Sequence, residues 1–118
     1  MTSWRVWQDG GHGITNKSLR YFDSLKGKLG RIDNIYIDRW RAMSMEINCE
    51  NGIVLLSGVN CGYGGEGPHG SIEILKRLGV DPSFTTKVIT GNLSISMRDI
   101  WKDMFSSDIN ETGLPMKW

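Results

Sequence analysis

Cysteine and proline are scarce in this chain: 118 residues carry two of the first and three of the second. Two cysteines, Cys49 and Cys61, are too few for a disulfide framework, so the fold must rest on its hydrophobic core. Charge of one sign is also missing. Fourteen basic residues face 13 acidic ones, for a net charge of +1. A balance this even gives no long-range pull toward nucleic acid or an anionic membrane, so any anion site must be local. Long apolar runs are absent too. No stretch could span a bilayer, and "MTSWRVWQDGG" has no apolar segment of signal length. The expected compartment is the cytosol, with both thiols reduced.

What the chain does have is an ordinary globular composition, 39% hydrophobic and 23% charged. One domain over residues 1–118 is expected at this length, with 106–118 as an extended tail. Five tryptophans stand out: Trp4, Trp7, Trp40, Trp101 and Trp118. Most are expected in the core, although tryptophan also suits binding surfaces.

Hydrophobic spacing predicts the elements. "SWRVWQ" (3–8) alternates as a strand and "DGGHG" (9–13) is a turn. Leu19, Phe22, Leu25 and Leu29 recur at helical spacing over 15–30, with Gly30 as terminator and Gly27 as a weak point. From 32 to 49 the period is two, with Ile35, Ile37, Met43, Met45, Ile47 and Cys49 on one face. Arg39 and Arg41 interrupt that face, so a bulge or break is expected near Trp40. "ENG" (50–52) suits a tight hairpin, and "IVLLSGV" (53–59) suits a central strand buried on both faces. A helix is expected over 71–78, strands over 84–90 and 93–96, and a last helix over 96–105. The order β-α-β-β-α-β-β-α describes an α+β fold, a mixed sheet with two to three helices packed on it.

The richest local feature is "NCGYGGEGPHGS" (60–71), with five glycines between Cys61 and Gly70. Glycine lets a backbone approach a ligand closely, and a helix start offers unpaired N–H groups and partial positive charge. Together they describe an anion site. Two overlapping G-x-G-x-x-G matches occur, Gly62 to Gly67 and Gly65 to Gly70, between an apolar strand and a helix. A dinucleotide fold does not follow. No acidic residue ends the strand at 84–90, and the chain is too short for two mononucleotide halves. The P-loop pattern fails as well, because its lysine is missing.

The ligand set read from this stretch is Tyr63, Gly64, Gly65, Glu66, Gly67, His69, Gly70 and Ser71. Glycine amides and the Ser71 hydroxyl would donate, while His69 and Arg39 or Arg41 would neutralise charge. Tyr63 or a tryptophan would stack on a base, and Glu66 would accept from a sugar hydroxyl, a base edge or a partner's arginine. His12, the only other histidine, joins the set because it and His69 are expected at the ends of adjacent strands; "DGGHGIT" after the first strand also echoes "EGPHGSI", as turns of like composition do.

The leading expectation is therefore a small cytosolic, non-enzymatic binding protein for a phosphate-bearing ligand such as a nucleotide. It would sequester that ligand, in the way phage proteins soak up nucleotide signals. No pattern calls for a cofactor or a metal, since Cys49, Cys61, His12 and His69 lack ligand spacing. The partner is a small phosphate compound or a protein, with no membrane or nucleic acid, and self-association is compatible with the sequence. A second reading is a protein inhibitor, such as the immunity partner of a bacterial toxin, with Glu66, the tail and Trp118 as contacts. In a third reading "HGS" (69–71) resembles one H-x-[ST] element of two-histidine phosphoesterases. "HGIT" (12–15) does not match it at the same spacing. That resemblance implies His12 and His69 as an acid/base pair.

Overall fold

A computed structural model describes residues 4–79, 94–96 and 117–118. The elements in chain order are β1 (Arg5–Gln8), α1 (Thr15–Ser24), β2 (Ile32–Asp38), β3 (Met45–Cys49), β4 (Gly52–Leu56), α2 (Glu66–Arg77) and β5 (Ser94–Ser96). The sheet runs β1-β4-β3-β2-β5. Neighbours β2–β3, β3–β4 and β2–β5 are antiparallel, and β1 pairs with β4 in parallel. A mixed sheet with two helices is thus present, an α+β arrangement. The expected strand at 84–90, the expected helix at 96–105 and most of the tail fall outside the described residues.

Period-two patterning sets the two faces of the sheet. Trp7, Val54, Ile47 and Ile35 lie in one row across β1, β4, β3 and β2. They pack with Phe22, Leu25, Leu29, Ile74, Leu75 and Leu78 in a single core cluster. The opposite row, Val6, Ile53 and Asn48, is exposed or half-buried. Here β4 departs from expectation. It is a central strand, but only one face is fully buried, because both helices pack on the same side.

The break near Trp40 is real: residues 39–44 form the connection between β2 and β3. A register shift also occurs between Ile32 and Asn34. The first helix is shorter than its apolar spacing suggests. It stops at Ser24, and Leu25 and Leu29 reach the core from the turns that follow. Gly27 and Gly30 in that segment have positive φ, which a helix cannot continue through.

The two helices lie side by side and parallel. Gly70 of α2 packs on Thr15 of α1 at one end, and Arg77 Nε donates to Asp23 Oδ1 at 2.7 Å at the other. At Gly70 any Cβ would overlap the Thr15 and Val59 side chains, so glycine permits this approach. Trp118 closes the helix layer. Its ring stacks on Phe22 at 4.7 Å, and its Nε1 donates to the Phe22 carbonyl at 3.0 Å.

The tryptophans divide differently from expectation. Trp7 and Trp118 are partly buried against the core, whereas Trp4 and Trp40 are 64% and 73% exposed. Trp101 lies outside the described residues. Among the described residues no helix is long and apolar enough to cross a membrane.

Candidate functional site

Parallel strands deliver their C-terminal ends to the same edge of a sheet, and the helices that follow begin there. In this chain β1 and β4 form that pair, so α1 and α2 both start beside it. The two strand-to-helix connections touch directly. Gly58 lies so close to the Ile14 backbone that a Cβ would overlap it. Thr15 Oγ1 donates to the Gly58 carbonyl at 2.7 Å, and the Gly13 amide donates to Ser57 Oγ at 2.9 Å.

Asp9 ties the connections together. Its carboxylate accepts from the Gly11 amide at 3.0 Å, from the Ser57 amide at 2.8 Å, and from the hydroxyls of Ser57 and Ser18. The Gly58 amide in turn donates to Ser18 Oγ at 2.8 Å. Burial pushes the Asp9 carboxyl up, but the hydrogen bonds from Ser18, Ser57 and Gly11 outweigh it, and it sits below the ordinary carboxylate range.

Between the connections lies a polar cleft of about 170 Å³, lined by Gly13, Thr15, Ser57, Gly58, Asn60, Tyr63, Glu66 and Gly67. Both helices open onto it without a side-chain cap. The first-turn amides of Thr15, Asn16 and Lys17 in α1, and of Glu66 and Gly67 in α2, have no hydrogen-bond partner among the described residues. Asn60 Oδ1 is buried against Gly67 and also lacks a partner among the described residues. Two adjacent helix starts, each worth about half a positive charge, therefore face one small space. The carboxylates of Glu66 and Asp9 offset part of that field.

The structure regroups the residues named from sequence. Helix α2 begins at Glu66, not near residue 71, so the second half of the glycine string is helical. Tyr63, Glu66 and Gly67 line the cleft, and Gly65 is the residue before the helix. Gly64 stands in open space. Gly70 and Ser71 belong instead to the packing. Gly70 seats α1, and the Ser71 hydroxyl donates to the Asn60 carbonyl at 2.7 Å.

The charged residues are dispersed. His69 points Nδ1 at the Gly65 carbonyl at 2.8 Å and borders a shallower depression with Thr15, Asn16, Leu19, Glu66, Gly70 and Glu73. His12 packs beside Gly10 in the first connection. Arg39 lies over the Tyr63 ring at 4.8 Å and reaches the Gly62 carbonyl at 3.4 Å. Arg41 turns away to Glu46 at 3.8 Å.

Neither thiol is set up as a nucleophile. Burial pushes both the Cys49 and Cys61 thiols up, which keeps them protonated. No group of three or more potential metal ligands gathers among the described residues.

Sequence reasoning missed Asp9, Gly13, Thr15, Ser57, Gly58 and Asn60. The signal for some of them was the Asp-Gly-Gly-His-Gly turn after the first strand. Its echo misled, because "DGGHGIT" is a connection while "EGPHGSI" lies within α2. No family model matches the chain, and neither curated proteins nor solved structures show significant similarity to it.

Proposed function

We propose that the protein is a non-enzymatic binding protein that holds the phosphate end of a ligand in the cleft between α1 and α2. One observation carries this reading: both parallel helices open uncapped onto the same polar space. Free first-turn amides and two aligned dipoles favour a small anion there. The donors differ from those expected. They are main-chain amides of Thr15, Glu66 and Gly67, rather than of the whole glycine string, and the Ser71 hydroxyl takes no part. Sequestration of the ligand needs no catalytic group.

Calorimetric titration with inorganic phosphate, phosphorylated sugars and nucleotides tests the reading. Saturable binding with one site per chain is the expected outcome, and Glu66→Gln should tighten it about two- to fivefold. That factor reflects the removal of a carboxylate from a helix start, worth about 0.3–1 kcal/mol. A flat response across the panel overturns the proposal.

The inhibitor reading retains one supporting observation, the exposure of Trp4 and Trp40. Trp118 no longer supports it, because that ring is spent on Phe22. A stable complex on size exclusion with the product of the adjacent gene would favour this reading.

A further inference from the structure

The cleft is too small for a whole nucleotide. Sites for drug-sized ligands enclose about 300–1,000 Å³, against about 170 Å³ here. A larger ligand must extend over the rim, and the rim is not uniform. Tyr63, one of the lining residues, packs against Gly65, where a Cβ would meet the ring at 2.5 Å. The Arg39 guanidinium sits over the Tyr63 ring at 4.8 Å and over the Trp40 ring at 5.5 Å. Tyr63, Arg39 and Trp40 thus form a chain of flat groups that leads from the cleft wall onto the surface. Its outer member is 73% exposed, and the core does not require it.

We infer that this Tyr63–Arg39–Trp40 shelf receives a nucleobase, so that the ligand class is a nucleotide with its phosphate in the cleft and its base stacked outside. The inference rests on the phosphate reading above. Three features favour a base over a purely sugar-borne phosphate. The shelf starts at the cleft instead of standing apart from it. Its members are the types that stack on bases, two aromatic rings and a guanidinium plane. It also supplies a cation, Arg39, held at the cleft's rim through Tyr63, which suits an anionic ligand that passes beside it. Arg41 does not join it, because it faces Glu46.

The test compares inorganic phosphate, ribose 5-phosphate and nucleoside monophosphates and diphosphates by calorimetry on the full chain. A nucleotide should bind at least about tenfold more tightly than ribose 5-phosphate, the scale of one stacked base. Trp40→Leu should abolish that difference, while Trp4→Leu, at an exposed position just before β1, should preserve it. Both side chains are largely exposed, so matching melting temperatures will verify that the variants fold. Equal affinity for nucleotide and ribose 5-phosphate, or a Trp40→Leu chain that keeps the tenfold gap, overturns the base shelf and leaves the phosphate reading standing. No binding by any phosphate compound overturns both.

Discussion

Glycines in this molecule do different jobs, and each job predicts a different response to the same substitution. At Gly70 an added Cβ would overlap Thr15 and Val59 in the helix contact. Alanine favours a helix over glycine by about 1 kcal/mol, but overpacking of a closed contact typically costs about 1–3 kcal/mol. Crowding should win, so Gly70→Ala should lower the midpoint of denaturant unfolding. Gly64 has open space around it and no left-handed φ. There alanine only narrows the unfolded ensemble, and stability should hold or rise by about 0.4–1 kcal/mol. Equal losses at the two positions would contradict this division. The glycine string misled at this scale because Gly, Pro and His are poor helix formers. The helix at 66–77 is held by Ile74, Leu75 and the Gly70 contact, which are tertiary facts.

Among the elements, the antiparallel part was the most legible. Odd-numbered apolar residues from Ile35 to Cys49 and the Glu-Asn-Gly turn marked β2, β3 and the start of β4, while the interruption at Trp40 left a bulge or a break open. The parallel pairing of β1 with β4 was not legible, since no local pattern encodes a partner more than forty residues away. The cleft was hidden for the same reason: its lining joins Gly13 and Thr15, which follow β1, to residues 57–67, which follow β4. Helix α1 shows how an element's end depends on distant chain. Leu29 and Gly30 donate their amides to the Trp118 carbonyl at 2.9 and 3.0 Å, while the Trp118 ring covers Phe22. Trp118→Ala should therefore cost about 2–3 kcal/mol, from lost burial and one stacked pair. Chemical denaturation followed by far-UV circular dichroism will measure it, and a loss below about 0.5 kcal/mol would mean the ring is not part of the helix layer.

For the whole molecule, acid stability should depend on Asp9. Its carboxylate joins β1, α1 and the end of β4, and its folded pKa lies below the ordinary value. A depressed carboxyl contributes stability that is present above the unfolded pKa, about 3.9, and is lost as pH falls through the folded value. Melting temperature should thus drop on the acid side, and Asp9→Asn should flatten that slope while lowering stability at neutral pH. A variant with an unchanged acid profile would show that another group governs it.

The strand order also imposes a timetable during synthesis. The hairpins from β2 to β4 can close as soon as they leave the ribosome, because their partners are adjacent. Strand β1 emerges first yet has nothing to pair with until β4 follows. Its Trp7, which the folded core partly covers, must wait in water throughout that interval. Strand β1 is thus exposed to misassociation until the parallel pair, and the pocket beside it, come together in one late step.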